Sequence, residues 1–132
     1  MEPAFLRDVE FYVDIAGRSE VMKQLATIAK SDTRGSFAIQ SAMKILRQLG
    51  WQELLAAGYV KKPTPTIYVL IVQSGPVAYR LPLFEPLCRG GALVVITHCE
   101  KRATLRRDAY QRLIDAAEKR RQDWLRRYCP EG

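Results

Sequence analysis

Residues 67–98 read IYVLIVQSGPVAYRLPLFEPLCRGGALVVITH, three apolar runs separated by two turn signals. Ile67 to Val72 is apolar on both faces, which predicts a strand inside a sheet. Ser74-Gly75-Pro76 turns it into Val77 to Phe84, and Glu85 to Gly91 turns that into Ala92 to His98. The three strands form an antiparallel meander. Pro82 has no N–H to give to a ladder, so it puts a bulge or an edge in the middle strand.

Working outward toward the N-terminus, Lys61-Lys62-Pro63-Thr64-Pro65 cannot be helical, because each proline pushes its predecessor to extended geometry. Trp51 to Gly58 reads as a short turn or half-helix. Before it, Ala38, Ala42, Ile45, Leu46 and Leu49 share one side of a helix that begins after the Asp32 to Ser36 turn, with Gly50 as a left-handed stop. Val21, Met22, Leu25, Ile28 and Ala29 recur at helical spacing behind a Ser19 cap, giving the other half of a helical hairpin. Val9, Phe11, Val13 and Ile15 alternate with polar neighbours as a first strand.

Toward the C-terminus, one long helix is predicted from about Thr104 to Tyr128. Leu105, Ala109, Tyr110, Leu113, Ile114, Ala117, Trp124, Leu125 and Tyr128 occupy one half of its wheel, and Arg106, Arg120, Arg121 and Arg127 fall on the same half. A core does not accept four unpaired guanidiniums. The expectation is therefore a helix whose 118–132 end projects from the body, displaying Trp124 with Arg120 and Arg121 as a partner-binding surface. A helix lying flat with its arginines snorkelling is the alternative. The element order β-α-α-β-β-β-α segregates strands from helices, as in a single α+β domain spanning 1–132 with an antiparallel four-stranded sheet.

The composition, 48% hydrophobic and 27% charged over 132 residues, is that of one globular domain. No apolar stretch approaches the ~18 residues of a membrane span, and the charged N-terminus resembles no export signal, so a cytoplasmic protein without membrane association is expected. Cys88, Cys99 and Cys129 match no zinc spacing and are read as reduced thiols; with His98 the only histidine, no metal site is expected. The net charge of +7 is concentrated: 101–128 holds ten basic residues against four acids. A field of that kind favours a polyanion or an acidic protein.

Sequence motifs exclude several chemistries. There is no phosphate-cradling glycine loop, no nucleophile elbow and no H-E-x-x-H pair, and His98 reads as a packed strand-end residue. What remains is a basic set on the meander: Lys61, Lys62, Arg80, Lys101 and Arg102. Two antiparallel turns can bring all five to one sheet face and rim, where fixed positive charge would hold a phosphodiester and stabilise a pentavalent transition state.

In order and spacing, several segments together resemble the RelE/HigB-like toxins of bacterial toxin–antitoxin systems, in their phage-derived branch. These are Glu10-Phe11-Tyr12-Val13-Asp14 with Gly17 to Val21, Leu46 to Gly50, Tyr79-Arg80-Leu81-Pro82-Leu83-Phe84, Ala92 to Arg102, and Tyr110 with Ala116 and Ala117. The resemblance implies a RelE-like fold and a ribosome-dependent messenger-RNA endonuclease without metal or cofactor, in which the substrate's own 2′-hydroxyl attacks the adjacent phosphate. It implies a catalytic set of Arg80, Lys101, Arg102 and Tyr110, with RNA held by Lys61, Lys62, Arg106 and Arg107. A helix-turn-helix antitoxin, the ribosome and messenger RNA would be the partners. Where the family carries charge, Val69-Leu70-Ile71 is apolar, and Cys99 stands where a phenylalanine is usual. These departures keep two alternatives in view, a catalytically impaired module that binds nucleic acid or protein, and a ParE-like topoisomerase inhibitor.

Overall fold

A computed structural model describes residues 5–102 and 106–130. Strand β1 (Asp8–Phe11) leads into helices α1 (Glu20–Ser31) and α2 (Thr33–Gln48), the short α3 (Trp51–Ala56) and a two-residue strand β2 (Val60–Lys61). Strands β3 (Tyr68–Ser74), β4 (Val77–Phe84), β5 (Leu93–Ile96) and β6 (Glu100–Arg102) follow, and α4 (Arg107–Tyr128) closes the chain. The expected helix start at Thr104, with Leu105, lies outside the described residues.

Local chemistry accounts for the boundaries. Ser19 caps α1 by accepting from the Met22 N–H, and Asp32 caps α2 by accepting from the Gly35 N–H. The first strand stops before Val13 because the Asp14 carboxylate accepts from the Ala16 and Arg18 N–H groups, bending the backbone into a turn. Gly50 is extended (φ −69°) and starts α3, correcting its expected role as a left-handed stop.

The sheet is mixed. It runs β1-β5-β4-β3-β2, with β6 also paired to β4, and β1 lies parallel to β5. This corrects the antiparallel four-stranded expectation: period-two alternation fixes which side chains face the core but not the direction of the neighbouring strand. The bulge is not in the middle strand, its expected place at Pro82: β4 runs unbroken from Val77 to Phe84 beside β3. Phe84 and Leu83 face Val95 and Ile96, while Arg80 faces Glu100, so Thr97, His98 and Cys99 stand opposite only Leu81 and Pro82. The extra residue is a bulge on the strand facing the proline, which separates β5 from β6.

Each sheet face carries its own core. On one, Leu70, Val72, Tyr79, Leu81, Leu83, Val94 and Ile96 pack against Val21, Ile28, Ile39, Ala42 and Leu46 of the α1–α2 hairpin. On the other, Val69, Phe84, Leu93 and Val95 pack against Ile114, Ala117 and Trp124 of α4.

The end of α4 lies flat, against the expected projection. Trp124 is only 4% exposed and meets Phe84 edge-on at 5.8 Å. Its arginines reach the rim and find partners: Arg120 with Glu20, Arg121 with Glu118, Arg127 with Asp123 and the Val13 carbonyl. Paired guanidiniums can lie beside apolar surface, which is why the helix need not leave the body. Cys129, which ends α4, is disulfide-bonded to Cys88 with Cα atoms 6.2 Å apart, correcting the expectation of three reduced thiols; Cys99 is free and buried. Among the described residues no helix is long and apolar enough to cross a membrane.

Candidate nucleic-acid interface

Strand pairing decides which basic residues meet. Arg80 lies opposite Glu100, and Ala78 lies opposite Arg102, so Arg80 and Arg102 are diagonal neighbours on the α4 face. Diagonal Cα atoms in an antiparallel pair are about 7–8 Å apart, within reach for two long side chains. Tyr110 of α4 packs over the same face with Ile71, the residue facing Arg80 across β3. Burial pushes the Tyr110 phenol above its ordinary range, and the Arg80 charge opposes the shift. Arg106 and Arg107, both exposed, begin α4 nearby, where the helix dipole adds to their charge.

Arg80 and Glu100 are incompletely satisfied. Arg80 Nη1 and Glu100 Oε2 are buried and have no hydrogen-bond partner among the described residues. A guanidinium and a carboxylate held side by side with open valences can together grip a polar, anionic ligand: one donates, the other accepts.

Lys101 belongs elsewhere. It faces Tyr79, so it stands on the hairpin face, 6.0 Å from the Tyr79 ring centroid. This corrects its place in the expected catalytic set: the Thr97–Cys99 bulge shifts the strand by one residue and sends Lys101 to the other face. Lys61 and Lys62 are separated from Arg102 as well. Lys61 sits on β2, the far sheet edge, with β3 and β4 between, a span of roughly 14 Å at 4.8 Å per strand. Buried Val69 and Pro82 fill the face between them under α4. The five residues expected on one surface thus divide into an Arg80–Arg102 pair, Lys101 behind the sheet, and two lysines at the opposite edge. The expected partner-binding trio is also dispersed, with Trp124 in the core and Arg120 and Arg121 in ion pairs.

On the hairpin face, Tyr79 donates to Asp32 Oδ2 at 2.6 Å and Ser74 to the same oxygen at 3.1 Å. The Tyr79 bond, then the Gly35 N–H, hold the Asp32 carboxyl below its ordinary range, while burial and Asp32 push the Tyr79 phenol up to about 12. Tyr79 is therefore a structural donor. His98 is buried, and burial with the Arg120 charge holds it down to about 4. Arg120 Nη1 can only donate to His98 Nδ1 at 3.2 Å, so the ring is neutral with its proton on Nε2.

Sequence inspection missed a stack beside β2. Trp51 lies on Tyr68 at 3.9 Å and 14°, the Arg7 guanidinium covers the outer Trp51 face at 4.6 Å, and Lys62 covers the outer Tyr68 face at 5.0 Å. Trp51 Nε1 donates to Glu85 Oε2 at 3.0 Å. Trp51 is 17 positions from Tyr68, 34 from Glu85 and 44 from Arg7, so no local motif announces the stack. Among the described residues no cluster of His, Cys, Asp and Glu is able to hold a metal ion. No family model, no curated protein and no solved structure matches the chain.

Proposed function

We propose that the chain is the toxin half of a RelE/HigB-type toxin–antitoxin pair, a messenger-RNA endonuclease acting on the translating ribosome in the cytoplasm and restrained by a helix-turn-helix antitoxin. The observation that carries this is the grouping of Arg80, Glu100, Arg102 and Tyr110 on one face of the sheet. Arg80 and Arg102 would hold the scissile phosphate and stabilise the charge that builds as the 2′-hydroxyl attacks. A guanidinium does not release its proton near neutral pH, so neither arginine is the base. Glu100, with a bare oxygen beside Arg80, would take the 2′-hydroxyl proton. Tyr110 stays protonated and would donate to the departing 5′-oxygen. Arg106 and Arg107 would bind flanking phosphates, and no metal enters the scheme.

Inducing the chain alone in bacteria is the test. Growth arrest with messenger-RNA cuts mapped within ribosome-covered codons is expected, and Arg80→Ala should abolish both. Uninterrupted translation, or arrest that survives Arg80→Ala, would overturn the proposal. Burial of Val69 and Ile71 under α4, where the family carries charge, favours a second role as a binding module without cleavage. Steeply salt-dependent RNA binding with no cuts on translating ribosomes would select it. DNA-damage signalling without RNA cleavage would instead select a topoisomerase inhibitor.

A further inference from the structure

The Trp51–Tyr68 stack opens on a small cleft that the endonuclease scheme does not use. Its volume is about 160 Å³, and it is lined by Lys62, Thr66, Tyr68, Glu85, Leu87 and Arg121. Sites for whole small molecules run to ~300–1,000 Å³. This one has room for a single planar ring, with the rest of its molecule outside.

The walls specify the ring. Trp51 holds one Tyr68 face, and the ammonium of the exposed Lys62 lies over the other at 5.0 Å. Leu87 is 87% exposed on the rim, an apolar side chain displayed where a ring on Tyr68 would meet it. Its short 3-10 turn (Leu87–Arg89) is tied to α4 through Cys88, so the display is held in place. At the cleft's polar side Glu85 keeps its Oε2 oriented by the Trp51 indole and leaves Oε1 without a protein partner in the hydrogen bonds of the described residues. A carboxylate only accepts, and among the nucleobases guanine alone offers two adjacent N–H donors on its Watson–Crick edge. Lys62 flanks the opening as a cation for a phosphate, with Arg121 beside it in its ion pair with Glu118, whose other oxygen accepts from Thr66 of the cleft.

The geometry points to a binding site for a guanine ring carrying a phosphate, the ring stacked on Tyr68 and read by Glu85. The source is a guanosine within single-stranded RNA or a free guanine nucleotide. Base stacking on an aromatic side chain is tolerant of sequence, so the preference for guanine comes from Glu85. The site lies at the β2 edge, away from Arg80 and Arg102, and stands whether or not the chain cleaves RNA.

The experiment uses the full-length oxidised chain and titration calorimetry. The probes are guanosine 5′-monophosphate, adenosine 5′-monophosphate, and oligouridines carrying one central guanosine or one central adenosine. Guanine probes should bind at least tenfold more tightly than their adenine counterparts. Tyr68→Ala should weaken guanine probes about tenfold, and circular dichroism reports whether it folds. Glu85→Gln still accepts from Trp51 and should erase the guanine preference while leaving adenine binding unchanged. Tighter binding of the oligonucleotide than of the mononucleotide identifies RNA as the source, and equal binding identifies the free nucleotide. Equal affinity for guanine and adenine in the unaltered chain, or a preference that survives Glu85→Gln, overturns the assignment. Arg102→Ala, which tests cleavage, should leave the guanine preference intact, so the two proposals fail separately.

Discussion

Two charged clusters, one on each face of the sheet, are treated in opposite ways. On the hairpin face the carboxylate of Asp32 is saturated by Tyr79, Ser74 and the Gly35 N–H. On the α4 face Arg80 and Glu100 keep buried atoms that no group among the described residues satisfies. A buried polar group without a partner lowers stability by ~1–3 kcal/mol, and such a loss is retained where a ligand can recover it. Arg7 Nε and Arg47 Nε, at the α2 end, are likewise buried without a partner among the described residues, so the contrast lies between the saturated Asp32 cluster, which builds the molecule, and the Arg80–Glu100 pair, which is available to bind.

The sharpest way to break this contrast is to remove one cation from each face. Arg102→Ala should lower RNA cleavage by about 10²–10³-fold, the usual effect of deleting one charge that stabilises a transition state, while Lys101→Ala should leave the rate within about twofold. Equal losses, read by primer extension on translated messenger RNA, would erase the distinction between faces. Next in size, the Cys88–Cys129 bond closes a loop of 41 residues on the α4 side alone. Reduction, or Cys129→Ser, should lower stability by ~3–4 kcal/mol in a denaturant titration.

The bulge between the faces gives a third test. The unfolded chain takes up a proton on His98 near pH 6.5 that the folded protein refuses until about 4. Stability is therefore complete above pH 6.5 and falls as the pH drops toward 4, by ~3 kcal/mol. His98→Gln should flatten that part of the pH–stability curve; an unchanged slope would show that His98 titrates normally. The smallest effect is on the hairpin face, where Tyr79→Phe removes one hydrogen bond to a carboxylate and should lower stability by about 1.5 kcal/mol without touching cleavage.

Much of the fold was legible because periodicity is local. The hairpin helices, the Ser19 cap and the three meander strands follow from apolar spacing and turn residues, while Pro82 signalled an interruption on its own strand and the structure puts it on the one facing it. Strand direction was not legible, since β1 beside β5 satisfies the same alternation in either sense. The flat end of α4 was hidden in part because Glu20 and the Val13 carbonyl, which hold Arg120 and Arg127, lie about a hundred residues away, although Glu118 and Asp123 stand within a turn of Arg121 and Arg127. At the candidate site, Arg80 with Arg102 was foreseeable from hairpin geometry. Glu100 was visible as an acid and not as Arg80's neighbour, and Lys101 was misplaced because a bulge leaves no residue-level signature on its own strand.

That bulge makes the charge of the working surface a matter of counting. With Cys99 directly opposite Arg80, position 101 would stand on the α4 side and positions 100 and 102 behind the sheet. A one-residue slip of β6 that straightened the bulge would thus trade a glutamate and an arginine for one lysine, with no change of sequence. Loss of the His98 codon would instead remove the bulge and leave Glu100 opposite Arg80, so the surface depends on the register that β6 holds and not on the length of this segment.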